Sequence, residues 1–67
     1  MHSIFDLRKN KGWTQEELGK KFRKKKAAEI ICRWEKGKTA PSSQNLQELS
    51  EIFGVPAQKI LIKRLTD

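Results

Sequence analysis

Three glycines punctuate this chain, and each follows a stretch in which apolar residues return at helical spacing. Gly12 follows Ile4 and Leu7, with Phe5 beside them; Gly37 follows Ile30, Ile31 and Trp34; Gly54 follows Leu46, Leu49, Ile52 and Phe53. Apolar side chains recurring every three or four residues, interrupted by helix-stopping residues, specify short amphipathic helices. The first helix is expected from about Ser3 to Lys11. Thr14 opens a second, because Glu17 three positions later completes a capping box; Leu18 and Phe22 share a face and carry it to about Phe22. Arg23 to Lys26 is too polar for a core, and Ala27 to Lys36 regains the helical period. Thr39 to Ser43 reads as a loop whose serines cap a fourth helix, about Ser43 to Phe53. Val55-Pro56 opens a fifth, with proline in its first turn, although Lys59 to Leu65 fits a helix or a strand. The fold class is therefore all-α, five short helices around Ile4, Leu7, Leu18, Phe22, Ile31, Trp34, Leu46, Leu49, Ile52 and Val55.

At 67 residues the chain is expected to form a single domain over residues 1–67. Such a domain buries only about 60% of its unfolded surface, so association with a partner is plausible on stability grounds alone. No apolar run approaches the roughly 18 residues of a membrane span, and the start lacks the layout of a signal peptide. Cys32 is the single cysteine and His2 the single histidine; an internal disulfide and a metal cluster are both excluded. A reducing, cytoplasmic setting fits best.

Charge carries the functional information. Fifteen Lys and Arg oppose eight Asp and Glu, a net +7, and the whole excess falls between Lys20 and Lys38; the flanking segments each balance. A patch of one sign confined to one segment attracts polyanions, whereas solubility alone requires no such concentration. The second and third helices and their connection, about residues 14–36, coincide with this patch. Two successive helices of which one crosses the DNA backbone and the next enters the major groove make a helix-turn-helix. The groove-entering helix needs short or polar residues in its first turn and an apolar inner face. Ala27, Ala28 and Glu29 meet the first demand, Ile31 and Trp34 the second.

Here the sequence resembles the Cro/repressor-like, XRE-type helix-turn-helix domains. The resemblance rests on Leu7-Arg8, on Gly12-Trp13-Thr14-Gln15-Glu16-Glu17-Leu18-Gly19, on Trp34-Glu35-Lys36-Gly37-Lys38, and on Pro41-Ser42, Leu46 and Leu49 through Pro56. It covers about residues 3–61 and implies a five-helix DNA-binding domain, usually dimeric, that regulates transcription. By position, it implies that Gln15 contacts phosphate and a base edge. It implies that Ala28, Glu29 and Arg33 face the groove, and that Lys38 contacts phosphate. Arg8 and Glu35 fall where many members form a partly buried ion pair. The chain departs from the pattern in having two extra residues between Leu18 and Glu35, so either the second helix is longer or the turn is. Gly19 also replaces a usual alanine, and the missing side chain permits a close approach.

Chemistry assigns these side chains alternatives. Arg33 pairs bidentately with guanine, contacts phosphate, or stays solvated; Glu29 accepts from cytosine N4 or stabilises the positive end of its helix. Lys24, Lys25 and Lys26 provide phosphate attraction or solvated charge, and Lys36 joins the candidate DNA contacts. Trp13 and Trp34 read as core or core-edge anchors rather than stacking platforms, and Cys32 as a small, partly buried filler rather than a redox sensor, with a position facing the groove as the alternative. The apolar strip Ile60 to Leu65, within a 60–67 tail segment, suggests a homodimer surface or simple packing onto the domain. No nucleophile–base pair, phosphate loop or metal-ligand set is visible, so no catalysis, cofactor or small-molecule substrate is expected. The expected function is a sequence-specific regulator of duplex DNA, most simply a repressor binding a palindromic operator as a homodimer. An antitoxin-like or anti-regulator protein whose main partner is another protein is the alternative.

Overall fold

A computed structural model of the protein describes residues 2–62. Strand β1 (His2–Ser3) leads directly into helix α1 (Ile4–Lys11), followed by α2 (Gln15–Lys20), α3 (Ala28–Lys36) and α4 (Ser43–Phe53). A single 3-10 turn (Ala57–Lys59) and strand β2 (Ile60–Leu61) complete the described chain. The helix starts follow from their caps. The hydroxyl of Ser3 accepts from the Asp6 N–H at 3.0 Å, and that of Ser42 from the Asn45 N–H at 3.2 Å. Thr14 and Glu17 form the reciprocal box: Glu17 N–H donates to Thr14 Oγ1 at 3.0 Å, and Thr14 N–H to Glu17 Oε1 at 2.7 Å. Gly12, Gly37 and Gly54 stop α1, α3 and α4 in the left-handed conformation, φ 75°, 80° and 71°, which glycine adopts without steric penalty.

The core joins Ile4, Leu18, Phe22, Ile31, Trp34, Leu49, Phe53 and Ile60. Leu7, Leu46, Ile52 and Val55, expected at its centre, are half-buried and pack against it. Trp13 also packs from the edge, stacked on Phe53 with ring centroids 5.9 Å apart, and Phe22 meets Trp34 edge-on at 5.7 Å.

Two expectations need correction. The chain has four helices among the described residues, not five: the segment after Pro56 makes one 3-10 turn and then extends. Ile60 and Leu61 alternate buried and exposed, and β2 pairs in parallel with β1, His2 opposite Ile60 and Ser3 opposite Leu61. Backbone pairing with the distant first residues, favoured by a branched side chain at Ile60, outweighs the helical reading. Residues 63–67 of the proposed tail lie outside the described residues. The second correction concerns α2, which ends at Lys20 instead of continuing to Phe22. Extending it through the cationic run would stack like charges at i and i+4, Lys20 over Lys24 and Lys21 over Lys25. The turn is the longer element, and it occupies Lys21 to Ala27.

That turn folds back over α2 at Gly19. The Lys26 N–H donates to the Gly19 carbonyl at 3.0 Å, and a Cβ on Gly19 would collide with the backbone carbonyl of Lys26. Helix propensity alone favours alanine over glycine by about 1 kcal/mol, so the two effects predict opposite signs. Gly19→Ala is expected to destabilise the protein by about 1–3 kcal/mol, the scale of overpacking, as measured by urea unfolding; a gain would show that the turn yields freely.

Candidate nucleic-acid interface

Helix α3 separates its residues cleanly by face. Ile31 and Trp34 are buried, while Glu29, Arg33 and Lys36 are exposed at spacings of four and three, which places all three on one stripe of the helix. Ala28 and Cys32 lie beside that stripe, both half-buried. The N-cap, Ala27, makes no side-chain cap bond, and Lys25 and Lys26 of the turn line the surface beside it and Ala28. Arg33 Nη2 donates to Glu29 Oε2 at 3.0 Å, an i,i+4 pair open to solvent. Exposed pairs of this kind contribute at most about 1 kcal/mol, against about 1–3 kcal/mol for a bidentate guanine contact. The pair with Glu29 therefore restrains Arg33 only weakly.

The basic turn stands directly before this helix. Lys24 and Lys25 are exposed, but Lys26 is half-buried, with its ammonium 5.9 Å from the centre of the Phe22 ring. The three lysines are thus unequal: two project to solvent, and the third also packs the turn onto the core. Behind Lys24 and Lys25, Arg23 faces α4. Its N–H donates to Glu48 Oε1 at 3.1 Å, and its guanidinium pairs with Glu51 at 2.9 Å. Sequence reasoning missed Glu48. The signal was weak: it shares a side of α4 with Ile52, four residues on, at the border of the apolar stripe.

The position of α3 is set by its far end. Arg8 Nε donates to Glu35 Oε2 at 2.6 Å and Arg8 Nη2 to Glu35 Oε1 at 3.1 Å, while Arg8 Nη1 caps the Trp13 carbonyl at 2.8 Å. Gln15, the first residue of α2, donates its Nε2 to Glu35 Oε1 at 3.0 Å. One carboxylate therefore ties α1, the loop before α2, and α2 itself to α3. Gln15 keeps a second N–H for another acceptor, such as a phosphate oxygen. The rest of that helix start is less welcoming to anions, because Glu16 and Glu17 occupy its first turn and Thr14 takes the Glu17 N–H. Lys38, exposed, follows the Gly37 cap and donates its backbone N–H to the Arg33 carbonyl at 2.9 Å.

The geometry of two helices, an ordered basic turn and an exposed polar stripe on the second helix is accompanied by a match to the helix-turn-helix family model over residues 4–60. The chain belongs to the XRE-type helix-turn-helix family. It is accordingly a DNA-binding transcription regulator. Comparisons with curated proteins and with solved structures return no match. Among the described residues, no helix is long and apolar enough to cross a membrane.

The Arg8 and Glu35 side chains are 9% and 6% exposed, so removing either leaves the other charge buried without its partner. Arg8→Ala is expected to cost about 3–5 kcal/mol, comparable to the whole stability of so small a domain, about 3–10 kcal/mol. Arg8→Lys should recover little, because an ammonium cannot reproduce the planar fork. Circular dichroism during urea unfolding measures both, and a loss under about 1 kcal/mol would place the pair with surface pairs.

Proposed function

We propose that this helix-turn-helix protein is a repressor that binds a two-fold symmetric operator on duplex DNA as a homodimer. The observation that carries the reading is the exposed stripe of α3, Glu29, Arg33 and Lys36, set immediately after the basic turn. In this reading Arg33 donates to guanine O6 and N7, Glu29 accepts from an adjacent cytosine, and half-buried Ala28 allows close approach to a thymine methyl. Lys24, Lys25, Lys26, Lys36 and Lys38, together with the remaining Gln15 N–H, fix the register on phosphates and supply sequence-independent affinity. In this reading the bound domain represses by occupying the promoter.

The homodimer is supported by Phe5 and Leu61, the exposed large apolar side chains of the described residues. They border one cleft of about 510 Å³ that Gln15 and Lys36 also line. A second copy seated there adjoins the DNA-facing residues, as a two-fold complex on adjacent half-sites requires. Leu61→Asp is expected to lower the mass measured by sedimentation to that of one chain and to weaken operator binding; an unchanged mass sinks this interface.

Selection of bound duplexes from a random DNA pool at physiological salt tests the function itself. The expected result is a symmetric motif with half-sites about 34 Å apart, one DNA turn. Arg33→Ala should flatten the preference by about ten-fold or more, the equivalent of 1–3 kcal/mol at one base pair. Lys24→Ala should weaken all sequences alike and reduce the slope of log K against log salt by about 0.9. Failure to enrich any sequence would refute sequence-specific regulation and turn attention to a protein partner.

A further inference from the structure

We propose that Glu48 is a positioning residue of the DNA interface, holding the lysine turn in shape so that Lys24 and Lys25 meet phosphates from fixed points. The inference rests on the DNA-binding reading of that turn. Four consecutive cations, Arg23 to Lys26, repel one another and would spread an untethered loop over many conformations. This loop has tethers of two kinds. The Lys21 N–H donates to Leu18 at 2.9 Å and the Lys26 N–H to Gly19 at 3.0 Å, both carbonyls of α2. Between those ends, the Arg23 N–H donates to Glu48 Oε1 at 3.1 Å, a bond to a separate helix.

Glu48 is only 9% exposed, and none of the ion pairs formed among the described residues includes it. A buried carboxylate is unfavourable unless hydrogen-bonded, and a backbone N–H bonded to a charged acceptor is among the stronger hydrogen bonds. An apolar residue in its place would bury more comfortably and leave the turn's amide without this partner. The Arg23–Glu51 pair reinforces the same junction, but both its side chains are more than half exposed, so it holds less firmly. Glu48 also lines a groove of about 400 Å³ between the turn and the start of α4, beside Arg23, Lys24, Lys26 and Asn45. A turn already in its bound shape gives up less freedom when the lysines engage phosphate.

Two substitutions separate geometry from charge. Glu48→Gln keeps an acceptor oxygen at the same reach and removes the charge; Glu48→Asp keeps the charge and withdraws the acceptor by one methylene. Binding to the selected operator duplex is measured across a salt series, alongside thermal unfolding and hydrogen exchange of the Arg23 amide. The expected result is that Glu48→Asp binds about three- to ten-fold more weakly, with the slope of log K against log salt reduced by about one to two contacts' worth. Its Arg23 amide exchanges faster, whereas Glu48→Gln binds at least as tightly as the unmodified protein. In a Lys24→Ala/Lys25→Ala background, Glu48→Asp should add nothing further, because its effect acts through those lysines. A folded Glu48→Asp protein with unchanged affinity and slope overturns the proposal. So does an equal loss in the lysine-free background. Absence of DNA binding by the unmodified protein overturns the DNA reading itself, and the positioning role with it, before any variant is compared.

Discussion

The orientation of α3 against the first two helices depends on one carboxylate. Glu35 takes two hydrogen bonds from Arg8 and a third from Gln15, and Arg8 in turn holds the Trp13 carbonyl. These groups come from α1, the loop after it, α2 and α3, so the angle between the two helices of the motif is fixed by directional bonds as well as by packing. Apolar contacts between Leu18, Ile31 and Trp34 tolerate small slides. A bidentate guanidinium–carboxylate fork does not. The fork therefore holds the two helices at one angle more strictly than the apolar contacts do.

A second constraint arises because the positively charged segment repels itself. A +7 charge confined to residues 20–38 opposes compact folding of that segment, and the chain answers with local devices. Helix α2 stops before the cations can stack, and the absent side chain of Gly19 lets the turn lie against the helix. Lys26 and Lys21 lay their ammonium groups over Phe22 and Trp13, at 5.9 and 4.8 Å from the ring centres, where the ring faces favour a cation. Glu48 and Glu51 face Arg23 from α4. Of the cations in the turn itself, Lys24 and Lys25 are exposed and have no such neighbour among the described residues.

Much of the fold was legible in the residues because its signals are local. A capping box requires only Thr14 and Glu17, and a left-handed stop only a glycine, so the bounds of α1, α3 and α4 could be read within a residue or so. The end of α2 could not. Phe22 continues its apolar period yet belongs to the turn, and it reaches the core beside Trp34 without being helical. The segment after Pro56 also misled, since one turn and a two-residue strand carry too few residues for any period to show. In the interface, the exposed stripe of α3 follows from counting residues along a helix. The role of Glu48 does not, because its partner is a backbone amide 25 positions away, and backbone amides leave no mark in a sequence.

By itself the sequence determined the helical class, the positions of the caps and stops, and the segment in which the positive charge accumulates, since each depends on neighbours within a few residues. Tertiary structure alone decided the parallel pairing of His2–Ser3 with Ile60–Leu61, the course of the turn over Gly19, and the distinction between exposed Lys24 and Lys25 and half-buried Lys26. Those outcomes depend on which distant groups arrive at hydrogen-bonding or van der Waals distance, and only the packed chain brings them there.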